Sequence, residues 1–128
     1  MGEEIFTDKA PSPIGPYSQA VAAGPFVFVS GQIPIDPSTG QIVPGGIKEQ
    51  TRRVLENIRA ILEAAGSTLD DVVYAMVYLK DLSLFGEFNE VYGSYFSKAK
   101  PARVTVQADV PRGALVEISV IALRRSKT

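Results

Sequence analysis

The sequence predicts an α+β fold, a two-layer sandwich in which two helices cover one face of a mixed β-sheet. Segments with the period of a strand and segments with the period of a helix follow one another in the order ββαβαββ. The chain has 128 residues, of which 45% are hydrophobic and 21% are charged. That is enough for one core of two packed layers and too little for two domains, so residues 1–128 are predicted to form a single domain.

The N-terminal third predicts irregular chain followed by a hairpin. Prolines and a glycine between residues 11 and 16 indicate that the first fifteen residues form neither a helix nor a continuous strand. The segments SQAVAAG and PFVFVSGQI predict two strands that turn at Gly24 and Pro25. Residues 36–46 are rich in Pro and Gly and predict a loop.

Two amphipathic helices and three further strands follow. Apolar side chains at three- and four-residue steps predict a helix from Ile47 that ends at Gly66. A second helix is predicted after Ser83, a potential N-cap, with an apolar stripe that ends at Phe96. The strands predicted after the first helix are residues 72–79, about 103–107 and about 115–123; a turn at 111–113 separates the last two, and residues 124–128 form a basic tail.

Two strands are apolar on both sides, namely VVYAMVYL at residues 72–79 and FVFV at residues 26–29. Two helices cover only one face of such a sheet, and a face that meets water is normally polar. The sequence therefore predicts a homo-oligomer whose sheets are turned inward. The alternative is a single chain with a locally hydrophobic central strand.

Composition narrows the chemistry, because the chain has no Cys and no His. Thiolate nucleophiles, disulfides, His-based triads and most zinc sites are excluded, so catalysis must use carboxylates, Arg, Lys, hydroxyls, backbone groups and water. A formal net charge of -1 gives no electrostatic reason to bind nucleic acid. The acidic N-terminus and the lack of a long apolar run predict a cytoplasmic protein without a membrane span.

Strand parity draws attention to Arg103 and Glu117. In the strand at 103–107, Arg103, Thr105 and Gln107 share one face and two valines share the other. In the last strand, Glu117 alternates with apolar residues in the same way. If the apolar sets face the helices, Arg103 and Glu117 both lie on the face that is predicted to meet a partner.

Two interpretations of this pair remain open. One is a cross-strand ion pair that stabilises the interface. In the other, Arg103 anchors the carboxylate of an acid substrate through its planar fork of donors. Glu117, whose pKa an apolar setting would raise, then acts as the general base for a water molecule.

Four further residues are candidates for the same site. Ser30 and Gly31 offer a hydroxyl and backbone N–H groups at the end of a strand. The ring of Tyr17 would line a pocket, and Asn89 lies beside the apolar stripe of the second helix. Each also has a structural interpretation. Ser30 and Gly31 would be a strand end at a glycine turn, and the Tyr17 ring would cover the edge of the core. Asn89 would lie on the solvated flank of its helix.

These residues lie in segments that resemble the Rid family of reactive-intermediate imine/enamine deaminases, also called the YjgF-like or endoribonuclease L-PSP family. The resemblance extends from near Ile5 to Ala122, and its most specific part is the C-terminal PAR…GALVEI element. The segments that carry it are PIGPYSQA, FVSGQIPIDPSTG, QTRRVLENIRAILEAAG, FNEVYGSYF and PARVTV…PRGALVEISVIA.

The resemblance implies a chorismate-mutase-like fold and a homotrimer with clefts between subunits. It implies hydrolysis of 2-imino acids and 2-aminoacrylate-type enamines, which pyridoxal-phosphate dehydratases produce, to 2-oxoacids and ammonia, with no metal or cofactor. Arg103 would bind the substrate carboxylate, and Glu117 would position and activate the water. The cleft would be lined by Tyr17, Ser30, Gly31, Asn89, Thr105 and Pro111.

Two features depart from the family pattern. Thr105 stands where the family often has Cys, and the connection from Arg103 to Glu117 is shorter by a single residue than in close deaminases. Two other functions remain open. One is an endoribonuclease or translation inhibitor, against which the missing His and the missing basic strip argue. The other is a trimer that binds a small carboxylate, or acts as a holdase, without turnover.

Overall fold

The computed structural model describes residues 2–125, which form eight strands and two helices. The helices are α1 (Ile47–Ala64) and α2 (Phe85–Tyr95). The strands are β1 (Glu3–Ile5), β2 (Ala20–Ala23), β3 (Phe26–Gln32), β4 (Ile35–Asp36), β5 (Gln41–Ile42), β6 (Val72–Leu79), β7 (Ala102–Gln107) and β8 (Val116–Leu123). Residues 126–128 of the predicted basic tail lie outside the described residues.

Six of the strands form one mixed sheet in the order β1-β2-β3-β8-β6-β7, and β4 and β5 form a separate small hairpin. Neighbours in the large sheet are antiparallel except β6 and β7, which are parallel. A parallel pair needs a crossover, and α2 supplies it. The predicted α+β class and the predicted hairpin of β2 and β3 are confirmed.

The core lies between the helices and one face of the sheet. Along β8, Val116, Ile118, Val120 and Ala122 are at most 1% exposed, while the residues between them are partly exposed. The apolar stripe of α1 packs on β3 and β8, and its residues Val54, Leu55, Ile58, Ile61 and Leu62 are fully buried. The face assigned to Glu117 by strand parity, opposite these residues, is therefore confirmed.

The first helix begins and ends where its sequence predicts. At its start, the Glu49 carboxylate accepts a hydrogen bond from the Gly46 backbone N–H at 2.9 Å. At its end, Gly66 has a positive φ of 78°, and the Ser67 N–H donates to the Leu62 carbonyl at 2.8 Å. This is the bonding pattern of a glycine-terminated helix, in which a left-handed residue lets the chain close back on the last turn.

Three predictions of local structure are wrong. The first fifteen residues include β1, which pairs with β2, and the loop at 36–46 contains the end of the β4–β5 hairpin. Strands of two or three residues carry no period that a sequence can show. Ser83 does not cap α2: the Asp81 side chain accepts from the Ser83 N–H at 2.8 Å and caps a short 3-10 turn that leads into the helix.

The predicted parity of β7 is also wrong. Arg103 is the register partner of Ala75, which is fully buried beneath the helices, so Arg103 and Thr105 face α2. Val104 and Val106 lie on the opposite face and are about two-fifths exposed, at 40% and 41%. The reason is that β7 is an edge strand, where the aromatic rings of α2 cover the guanidinium of Arg103 and leave the two valines uncovered.

The sheet face away from the helices, called the open face below, carries exposed apolar side chains. Phe26 and Phe28 on β3 lie there with Val104 and Val106 on β7, and each is between 37% and 44% exposed. A partner that covers this face stays a prediction. Among residues 2–125, neither helix has the length and the hydropathy that crossing a membrane requires.

Candidate active site

A cavity of about 420 Å³ opens between the N-terminal segment, the end of β3 and the start of β8. Five residues that the sequence predicts for the site meet in its wall: Tyr17, Ser30, Gly31, Pro111 and Glu117. The rest of the lining is mainly apolar and consists of Pro11, Ser12, Pro13, Ile14, Gln19, Gln32, Ile33 and Ile35. The structure therefore brings together residues that are separated by a hundred positions in the chain.

Glu117 is the only acidic residue in the lining of this cavity, as far as residues 2–125 are concerned. Burial raises the pKa of its carboxyl above the ordinary value, and no described hydrogen-bond donor offsets this effect. The carboxylate lies directly against Gly31, where a Cβ atom would collide with it. Because glycine has no side chain, Gly31 leaves space for the Glu117 carboxylate.

Ser30 and Tyr17 are fixed by bonds to the backbone of the N-terminal part. The Ser30 hydroxyl donates to the Ser18 carbonyl at 2.7 Å, so its oxygen is left free to accept from a ligand. The Tyr17 hydroxyl accepts from the Ile14 N–H at 3.4 Å, and its ring is 47% exposed at the cavity. Both side chains are therefore oriented before a ligand arrives.

A second depression, of about 470 Å³, lies on the open face and meets the first one at Gly31, Pro111 and Glu117. Tyr78, Ala108, Asp109 and Ser119 complete its lining. Pro111 begins a 3-10 turn in which Arg112 has a positive φ of 59°. Glu117 can therefore be approached both from the cavity and from the open face.

Arg103 lies elsewhere, in an aromatic setting provided by α2. Its Nη1 donates to Asn89 Oδ1 at 2.9 Å. Its guanidinium carbon lies 4.7 Å from the ring centre of Tyr92, 5.5 Å from that of Phe85 and 5.6 Å from that of Phe88. These five residues are called the arginine cluster below. Cation–π contacts and one amide hold the guanidinium in place while other N–H groups stay available for a carboxylate.

Thr105 follows Arg103 on the same face of β7, and its Oγ1 is buried without a hydrogen-bond partner among the described residues. Tyr92 is also affected by this environment: burial raises the pKa of its hydroxyl, and the Arg103 guanidinium partly opposes that rise. A buried hydroxyl that lacks a partner is costly. Thr105 therefore carries an unmet hydrogen bond beside Arg103 and lies outside the linings of both cavities described above.

Arg103 and Glu117 do not meet within one chain. Their register partners on β6 are Ala75 and Tyr78, three residues apart, so the two side chains project from opposite faces of the sheet. Three residues along β6 and two strand spacings separate their Cα atoms by about 14 Å. No ion pair joins these two described residues, so the cross-strand ion pair is wrong for a single chain.

The sequence did not single out the aromatic rings of the arginine cluster or the amide of Gln19 in the cavity wall. The apolar period of the second helix predicts only that the three rings belong to its core stripe. The signal for the cluster is that they share a helix face with Asn89 at three- and four-residue steps. Among residues 2–125, no group of three or more acidic side chains is placed to hold a metal ion.

Known proteins are similar to this chain along nearly its whole length. Residues 7–124 match the profile of the family described as endoribonuclease L-PSP. A RutC family protein from Pyrococcus horikoshii is 60% identical over 97% of this chain and 99% of its own length. The mouse protein named 2-iminobutanoate/2-iminopropanoate deaminase is 48% identical over 94% of this chain and 90% of its own length.

A solved structure shows the same fold. TdcF from E. coli, determined with bound serine, superposes with a TM-score of 0.92 and 42% identity, over 96% of this chain and 99% of that one. The family match spans nearly all of the described residues, including both the cavity and the arginine cluster. The chain therefore belongs to the endoribonuclease L-PSP family, the Rid family that its sequence motifs resemble.

Proposed function

We propose that the protein hydrolyses 2-imino acids and their enamine tautomers to 2-oxoacids and ammonia. The observation that carries the proposal is a carboxylate with a raised pKa and no described partner, Glu117, in a mainly apolar cavity. A carboxylate whose pKa is raised is a stronger base than an ordinary one, which suits it to accept a proton from water. The mouse relative named as an imine deaminase supports the choice of substrate class.

We further propose that the site is shared between two copies of the chain. In a 2-imino acid the carboxylate is bonded directly to the imine carbon. Arg103 and Glu117 of one chain lie on opposite faces of the sheet, and their Cα atoms are about 14 Å apart. The two side chains therefore cannot both reach so small a molecule. The arginine cluster of one copy would face the Glu117 cavity of the next, in a homotrimer.

The proposed reaction needs no group beyond these side chains and water. Arg103 holds the substrate carboxylate with two parallel N–H donors. Glu117 accepts a proton from water as the water oxygen forms a bond to the carbon of the protonated imine and the C=N π electrons move to nitrogen, which gives a neutral carbinolamine. Glu117 then returns that proton to the amino nitrogen. The carbinolamine hydroxyl loses its proton to Glu117 as the C=O bond forms and the C–N bond breaks, so the 2-oxoacid and ammonia are released and the last proton passes from Glu117 to ammonia. Ser30 provides a hydroxyl in the cavity wall.

The test generates 2-aminoacrylate and 2-iminobutanoate in situ with a dehydratase and times 2-oxoacid release with and without the protein. We expect Glu117→Gln to lower the rate by about 100-fold or more, because a general base is lost. Arg103→Ala should lower kcat/KM by about 10- to 100-fold, because a charge-assisted hydrogen bond is lost.

Two surface substitutions serve as matched controls. Glu87→Gln and Arg52→Ala remove the same charges from exposed positions outside the site and should leave the rate unchanged. No acceleration by wild type would rule out the deaminase proposal, and equal acceleration by wild type and by both site variants would rule out Arg103 and Glu117 as its site. Binding of a 2-oxoacid without any acceleration would indicate a small-carboxylate binder instead.

A further inference from the structure

The two apolar walls of the Glu117 cavity both lie outside the six-stranded sheet. One wall is the irregular N-terminal segment that includes Pro11, Pro13 and Ile14, and the other is the segment at Ile33 and Ile35, where the short β4–β5 hairpin begins. Segments outside the large sheet lack its hydrogen bonds and need other anchors to hold their position. Two buried amide side chains supply these anchors, one for each wall.

Gln19 anchors the N-terminal wall. Its side chain is 1% exposed, and its Oε1 accepts from the Thr7 N–H at 2.8 Å. Its Nε2 donates to the carbonyls of Pro11 at 2.8 Å and of Thr7 at 3.0 Å, with a longer contact to that of Ala10 at 3.4 Å. Three backbone carbonyls therefore converge on one amide nitrogen, and Pro11 lines the cavity.

Asn57 anchors the opposite wall from α1. It is fully buried, and its Nδ2 donates to the Ile35 carbonyl at 3.0 Å and to the Ile33 carbonyl at 3.4 Å. Its Oδ1 accepts from Arg53 Nε at 3.1 Å, which fixes the orientation of the amide. Ile33 and Ile35 line the cavity, so the position of this wall depends on a helix residue that does not touch the cavity itself.

We infer that Gln19 and Asn57 are positioning residues that set the width of the cavity, and that the cavity selects 2-imino acids whose side chains are apolar and larger than methyl. The inference rests on the proposed function. A cavity of about 420 Å³ whose walls are mostly proline, isoleucine and tyrosine offers burial to an apolar substituent and leaves a methyl group loosely held. Each methylene in a fitted apolar pocket is worth about tenfold or more in selectivity.

The experiment compares the imines of alanine and leucine, both produced by the same amino acid oxidase in the presence of catalase. The readout is the ratio of kcat/KM for the larger imine to that for the smaller one. Wild type should favour the larger imine by about tenfold or more. In Gln19→Glu and Asn57→Asp, carboxylate oxygens would face backbone carbonyls, the walls would move, and the ratio should fall toward one.

Controls separate positioning from a general loss of structure. Ser97→Glu adds the same charge at an exposed position outside both the cavity lining and the β4–β5 hairpin, and should keep the wild-type ratio. If Gln19→Glu does not fold, Gln19→Met keeps the size of the side chain without its hydrogen bonds and should lower the ratio as well. An unchanged ratio in folded variants, or a wild type with no size preference, would overturn the inference.

Calorimetry with pyruvate and 4-methyl-2-oxopentanoate distinguishes this inference from the proposed function, because it needs no turnover. If wild type accelerates no imine but binds the larger 2-oxoacid more tightly, and Gln19→Glu removes that preference, the deaminase proposal fails and the selectivity of the cavity stands. If wild type is an active deaminase with equal affinity for both 2-oxoacids, the inference fails and the proposed function stands.

Discussion

The position and the environment of the Glu117 carboxylate are determined by its neighbours in the sheet. The buried valine and isoleucine on either side of it fix β8 in register, and Gly31 leaves space for the carboxylate beside β3. Parity in β8 could be predicted from sequence because the polar Glu117 and Ser119 alternate with three apolar residues at the start of the strand. Parity in β7 could not, since its valines face outward and its arginine is covered by rings from a helix that the sequence does not link to it.

The raised pKa of Glu117 predicts a pH-dependent gain in stability when the charge is removed. The folded chain binds the Glu117 proton more tightly than the unfolded chain does. This carboxyl therefore stabilises the fold below its unfolded pKa, and that contribution is lost as pH rises through the folded pKa. We expect Glu117→Gln to be more stable than wild type at pH 7 and similar to it at pH 4, as measured by urea denaturation at fixed protein concentration. A lower stability of the variant at pH 7 would contradict the assignment.

Helices and long strands could be located from sequence, and short elements could not. The bounds of β6 are those predicted, and α1 begins at the predicted residue, because both have a strong apolar period. The start of α2 was displaced, since Asp81 and Ser83 are both good caps and only the three-dimensional turn decides between them. The roles of the Gln19 and Asn57 amides could not be recognised, because their partners are backbone carbonyls outside the large sheet, which no periodic pattern in the sequence links to them.

The contact between the two helices gives a prediction at the scale of the element. The Tyr95 hydroxyl of α2 donates to Glu56 Oε2 of α1 at 2.7 Å, and Arg59 lies over its ring. Burial and this bond raise the pKa of Tyr95 to about 12, so the hydroxyl stays protonated throughout the working range of pH. We expect Tyr95→Phe to lower the free energy of unfolding by about 1 kcal/mol, measured by urea denaturation. Tyr74→Phe, at a hydroxyl without a described partner, should change it less.

At the scale of the whole molecule, the sequence predicted the layers and the apolar open face, whereas the strand order depended on long-range pairing that no local pattern encodes. The same open face leads to the proposed trimer. Its exposed apolar side chains would be costly in a monomer. Arg103 and Glu117 lie on opposite faces of the sheet. A second copy would therefore complete the proposed site as well as bury the apolar side chains of the open face.

A shared site predicts complementation between two inactive variants. Arg103→Ala retains Glu117, and Glu117→Ala retains Arg103, so a mixed oligomer contains some sites with both groups. Statistical mixing in a trimer gives about a quarter of wild-type activity when the two variants are unfolded and refolded together in equal amounts. Each variant refolded alone provides the baseline. Mixed oligomers that form, as shown by mass spectrometry, and remain at that baseline would show that the site lies within one chain.

The placement of the tyrosines has a practical consequence. The chain has five Tyr and no Trp, so its ultraviolet emission comes chiefly from tyrosine. Tyr17 lies at the Glu117 cavity, Tyr78 at the depression on the open face and Tyr92 against Arg103. Three of the five tyrosines thus lie where a ligand or a second copy would bind. The intrinsic tyrosine fluorescence of the protein would therefore report both events without a label.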